Sequence, residues 1–147
     1  MRSKRMQSVA NLADQKEQDA VNHFVEAQKI VRDAEQQLQQ LFEYREEYSE
    51  KLLAADLSAQ RLRDYRSFIA KLGVSIEQMH IDIDNKKQQC EVKRQAWLAC
   101  RSRTHALNSV VEKYKLEEYR QEQRFEQKEQ DEHGARIAGH NSEDSDH

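Results

Sequence analysis

The 147-residue sequence contains no proline and only three glycines, Gly73, Gly134 and Gly139. Tight β-turns draw heavily on both residues, so a sheet protein built from hairpins is excluded and an all-helical chain is what remains. Two cysteines are present, Cys90 and Cys100. Within one helix they would lie ~15 Å apart along the axis, beyond the ~7 Å that a disulfide can span, and unbridged thiols fit a reducing cytoplasm. Hydrophobic residues make up 37%, short of the roughly 45–50% of ordinary soluble domains, which leaves little to fill a spherical core. No apolar run approaches the ~18 residues of a membrane span. The opening MRSKRMQSVANLADQ is positively charged but lacks the apolar stretch of a signal peptide. The expectation is a chain neither secreted by that route nor inserted in a membrane by a helix of its own. Charge of one sign is lacking as well: 24 Lys and Arg face 27 Asp and Glu, a net charge of −3. No global field draws such a chain to nucleic acid or to an anionic membrane.

What the chain has in abundance is helix-forming residues at helical spacing, with 35% of all residues charged, a composition of long helices and coiled coils. Alternate steps of three and four from Met6 meet Ala10, Ala13, Glu17, Ala20, Phe24, Ala27, Val31, Ala34, Leu38, Leu41, Arg45, Tyr48 and Leu52; twelve of the fourteen positions are apolar. This is a heptad seam, and it predicts a first helix over about 3–55. The same steps from Leu62 meet Tyr65, Ile69, Leu72, Ile76, Met79, Ile83, Lys86, Cys90, Lys93, Trp97, Cys100, Thr104, Leu107, Val111 and Tyr114, with thirteen of sixteen apolar. Beyond Tyr114 the register reaches Glu118, Gln121, Phe125 and Lys128, so the seam ends while the helix, predicted over about 61–133, runs on.

Between the stripes lies a break at 56–60, where Asp56 and Ser58 are both suited to cap a new helix. A short connection makes long helices antiparallel neighbours. The predicted fold is therefore all-α: an antiparallel coiled-coil hairpin over 1–133, with the second helix overhanging the first by about twenty residues, ~30 Å. Two registers pair the seams, with partner numbers summing to 110 or to 117. The first sets Glu17 beside Lys93 and Ala13 beside Trp97; the second sets Ala20 beside Trp97 and Ala34 beside Ile83. Residues 134–147, with two glycines, no periodicity and an acidic end, read as a disordered tail.

Catalysis needs a concave, water-excluding pocket, and a two-helix rod has none, so an enzyme is not expected, nor a cofactor. His23, His80, His105, His133, His140 and His147 are scattered, and no metal-ligand spacing occurs. Cys90 and Cys100 fall on the seam as small hydrophobes. Lys86 to Arg103 is locally basic, with Lys86, Lys87, Lys93, Arg94, Arg101 and Arg103 against Glu91. A solvated face pairing with Asp14, Glu17 and Glu26 across the hairpin accounts for it better than nucleic-acid binding does. The loop-proximal half is richer in signal. Tyr44 and Phe68 each precede a seam position by one, as do Gln37 and Ser75, so all four flank the seam on one side. With Phe42, Tyr48 and Tyr65 nearby, they form an aromatic concentration suited to a partner surface.

The runs Ala34-Glu-Gln-Gln-Leu-Gln-Gln-Leu-Phe-Glu-Tyr-Arg-Glu-Glu-Tyr48 and Leu62-Arg-Asp-Tyr-Arg-Ser-Phe-Ile-Ala-Lys-Leu72 resemble the FliJ family of flagellar type III export. The likeness extends over the length and both helices. It implies an antiparallel coiled coil similar to the gamma-subunit stalk of rotary ATP synthases. It also implies binding to the hexameric export ATPase FliI, to the export-gate protein FlhA, to FliH and to export chaperones. Carried over by position, the gate-binding patch is Gln37, Leu41, Tyr44, Tyr48, Phe68 and Leu72, with Ser75 and Met79 at its edge. The stalk likeness assigns Val111, Tyr114 and Phe125 to the ATPase ring. The implied location is cytoplasmic, peripheral at the inner face of the membrane. Alternative readings are a self-associating coiled-coil scaffold and a nucleic-acid binder acting through Lys86 to Arg103.

Overall fold

The computed structural model describes the backbone of residues 1–54 and 56–145, and side chains as far as residue 140. Two helices make up the fold, α1 (Arg2–Ala54) and α2 (Ala59–Ser145), with no strand among the described residues. The all-α helical hairpin expected from the two seams is the observed fold. Of the two candidate caps it is Ser58 that starts α2. Its Oγ accepts the Arg61 N–H at 3.3 Å and its carbonyl accepts the Leu62 N–H at 3.0 Å, which satisfies one otherwise orphaned first-turn donor and opens the helical ladder.

The chain divides into two compact units, residues 16–101 and residues 1–15 together with α2 from Ser102 onward. In the first unit, α1 and α2 run antiparallel. Across the pair, Phe24 stacks on Trp97 with centroids 5.8 Å apart, Lys87 meets Glu35 at 3.4 Å, Phe42 meets His80 edge-on at 6.0 Å, and Tyr48 packs on Phe68 at 4.5 Å. The partner numbers of these four pairs sum to between 116 and 122. The register summing to 117 is the nearer of the two, each contact lying within five residues, ~7.5 Å, of its layer. The register summing to 110 does not, since it displaces Phe24 from Trp97 by eleven residues, ~16 Å along the axis. Ala34 and Ile83, opposed in the 117 register, are both buried, at 5% and 4% exposed. Lys93, which the other register would seat against Glu17, is exposed. An ammonium prefers water to an apolar seat in the seam.

In the second unit the buried residues are Ser3, Ala10 and Ala13 of α1 and Thr104 and Val111 of α2. Each lies on a heptad step, and Ala13 with Thr104 obeys the 117 pairing. The seam reaches one step further than its apolar run. Glu118 is half-buried and accepts two hydrogen bonds from Ser3, 2.6 Å from the hydroxyl and 3.1 Å from the backbone N–H. From Tyr119 to His140 every side chain is exposed.

Gly134, where the sequence reading ends the helix and begins a disordered tail, lies inside α2, which continues to Ser145. Glycine costs a helix about 1 kcal/mol but does not stop it as proline would, and the chain has no proline. The end of the expected tail, residues 146–147, lies outside the described residues.

Candidate partner-binding site

Tyr44 and Phe68 owe their position to heptad geometry. Each precedes the first core position of its heptad, and in an antiparallel pair those two positions share one side of the seam. The arrangement leaves Tyr44 51% and Phe68 39% exposed. Phe68 packs on Tyr48 of the opposite helix at 4.5 Å, and Tyr48 meets Tyr65 edge-on at 5.7 Å. Tyr44 stands one helical turn from Tyr48 on the same helix, within side-chain reach. Lys51 covers the Tyr48 ring at 5.1 Å, and Arg45 covers Phe42 at 5.1 Å. The result is a braced aromatic row with two rings half out of water and cations at its edge, the composition of an interface anchor.

The other residues carried over by resemblance fall into two groups. Gln37 and Ser75 are exposed on the same flank, while Leu41, Tyr48 and Met79 are half-buried in the seam. Leu72 is buried, 7% exposed, so it supports the patch from beneath and has little surface to offer a partner. Val111 is likewise core, 2% exposed, whereas Phe125 is 64% exposed and Tyr114 half-buried. Phe125 and Tyr114 line an open groove beside Met1 with Glu118, Glu122 and Glu126. Glu118 is held below the usual glutamate range. The Ser3 hydroxyl is the main cause and the Ser3 backbone N–H the next, with loss of solvation opposing and the Met1 ammonium assisting.

Sequence reasoning missed this Ser3–Glu118 cap, although Glu118 is the next heptad step after Tyr114. It also missed Tyr119, 59% exposed beside Leu116 at 50%. The basic segment pairs differently from expectation: Lys86 with Asp82, Arg94 with Glu91 and Lys87 with Glu35, not with Asp14, Glu17 or Glu26. Lys86 and Arg94 find carboxylates three or four residues away on the same helix, where side chains already face one another, and Lys87 alone of the three reaches across to α1. Among the described residues no cluster of three His, Cys, Asp or Glu is placed to hold a metal ion, and no helix is long and apolar enough to cross a membrane.

Fold and flank together define a two-helix antiparallel coiled coil whose distinctive chemistry lies on its surface. The family model described as "Flagellar FliJ protein" matches residues 2–143, and the chain belongs to this family of flagellar proteins. It is similar to the flagellar FliJ protein of Escherichia coli (strain K12), 26% identical over 134 residues that cover 89% of this chain and 91% of the relative. The flagellar FliJ protein of Salmonella typhi is 25% identical over 136 residues, covering 90% and 92%. No solved structure matches.

Proposed function

We propose that the chain is a non-enzymatic component of the flagellar type III export apparatus. It binds the export ATPase ring of FliI, promotes the ring's assembly and activity, couples it to the export gate FlhA, and escorts export chaperones. Membership of the flagellar FliJ family supports the setting. The observation that carries the reading is the braced aromatic row, with Tyr44 and Phe68 half out of water on one flank of a folded hairpin. Isolated exposed apolar residues are ordinary on a surface, but a cluster anchored by stacking is the material of a hot spot. In this reading the gate meets Gln37, Tyr44, Tyr48 and Phe68, while the ring meets Tyr114 and Phe125. The protein works peripherally at the inner face of the membrane through the apparatus.

The test is ATP hydrolysis by the cognate FliI, titrated with this protein, with ring assembly followed by light scattering. Stimulation together with more hexamer is the expected outcome. A folded, helical protein that neither binds nor stimulates would overturn the reading and leave a self-associating scaffold.

A further inference from the structure

Lys87, Arg94 and Arg101 recur every seventh residue of α2, each one position after a seam residue, and all three are exposed. Seven residues of helix advance ~10.5 Å, so they form a row of cations on the side of the seam opposite Tyr44 and Phe68. Beside the row, within residues 16–101, the two helices leave a groove of about 410 Å³, room for a few side chains. Its floor is Phe24, Val31 and Cys90, and its rim holds Arg32, Lys87 and Arg94 beside Gln28 and a single acid, Glu91. Trp97, stacked on Phe24 at 5.8 Å and approached by Arg101 at 5.9 Å, lies at one end.

We propose that this groove docks a third helix, supplied by a partner, that carries apolar residues on one face and a carboxylate at every seventh position beside them. A groove between supercoiled helices follows the seven-residue period, so a third helix of the same period stays in phase with the cation row, as in three-stranded coils. The apolar floor accepts its side chains and the rim pairs its carboxylates. The rim cations are only loosely engaged: Lys87 meets Glu35 at 3.4 Å and Arg94 meets Glu91 at 3.0 Å, with all four side chains about half exposed. Exposed pairs of this kind exchange partners at little cost. The same two acids argue against a nucleic acid, whose backbone presents a charge every few ångströms and would have to lie across Glu35 and Glu91.

The test uses the full chain, whose single tryptophan sits at the groove and reports occupancy. The probe is a synthetic four-heptad peptide with leucine on one face and glutamate at every seventh position. Saturable change in Trp97 emission is expected, with a gain in helicity. A peptide of the same composition in scrambled order should bind at least about tenfold more weakly. Arg32→Glu with Arg94→Glu should weaken the acidic peptide roughly tenfold, and a peptide with lysine replacing glutamate should recover binding to that variant. Lys87→Gln with Arg94→Gln provides a milder variant should the reversal disturb helicity. Equal binding of ordered and scrambled peptides would overturn the proposal. So would unchanged affinity in a helical variant, or equal competition by a single-stranded oligonucleotide of matched charge. Concentration-dependent dimerisation lost in the same variants would assign the groove to a second copy of the chain and overturn it too.

Discussion

Replacing Tyr44 and Phe68 together with alanine separates a docking surface from a piece of core. Full burial of a phenylalanine is worth about 1.5–3 kcal/mol. Phe68 is 39% exposed, so its share is about 1–2 kcal/mol, and its contact with Tyr48 at 4.5 Å adds about 0.5–1.5 kcal/mol. Tyr44 is 51% exposed and contributes about 1 kcal/mol. The double variant should therefore lose about 2.5–4.5 kcal/mol in urea unfolding followed by circular dichroism, less than the whole stability of a domain of this size. Binding to FlhA, measured by calorimetry, should fall roughly a hundredfold or more if the two rings act as hot spots. Ile83→Ala makes the contrasting control. Ile83 is 4% exposed, so the cavity left behind should cost about 2–5 kcal/mol with gate affinity unchanged in the folded protein. Native gate affinity in a folded Tyr44/Phe68 variant would refute the reasoning, as would loss of the helical fold.

Further expectations follow from the helix ends and the overhang. Ser58→Ala should cost about 1 kcal/mol of stability through loss of the α2 cap, and an unchanged urea midpoint would contradict the assignment. Because Glu118 titrates below the usual glutamate range when folded, its link to Ser3 is in place above that range. The link is lost as pH falls through its lowered pKa. Hydrogen exchange at the first turn of α1 should accelerate on acidification, Glu118→Gln should weaken protection already at neutral pH, and exchange insensitive to both would contradict the cap. Removing residues 119–147 deletes only exposed side chains among those described. It should change stability by less than about 0.5 kcal/mol while abolishing ATPase stimulation and sparing gate binding; loss of gate binding alone would reverse the assignment of ends.

The apolar seam was legible in the sequence because a heptad repeat is a local pattern that needs no knowledge of the partner, although its polar last step at Glu118 was not. Every buried residue lies on a heptad step, and of the positions counted from Met6 to Leu52 and from Leu62 to Tyr114 only Lys93 is exposed. Register was not legible, since slipping one helix by seven restores the same apolar pattern. The cross-helix contacts decide it instead: Phe24 stacks on Trp97 and Ser3 meets Glu118, each eleven residues from where the 110 register would bring it. The flank of the aromatic row was legible from position alone. Which members face water was not, as Leu72 and Val111 show; both belonged to the anticipated contact sets and both are core. Extent of burial depends on what the facing helix presents, which a single periodic stripe does not encode.

The seam is unequal between the two helices. α1 offers Ala10, Ala13, Ala20, Ala27 and Ala34, and α2 answers in the 117 register with Leu107, Thr104, Trp97, Cys90 and Ile83. Two copies of α1 side by side would bury methyl groups where α1 against α2 buries rings and branched chains, a far smaller return in apolar area. As the ribosome releases α1 first, neighbouring nascent chains offer these alanine positions a poorer match than α2 does. It waits for the one helix shaped to it, which arrives within the same polypeptide after a connection of a few residues. Fidelity of self-recognition is thus written in side-chain size, and the chain guards itself against mispairing before any partner is met.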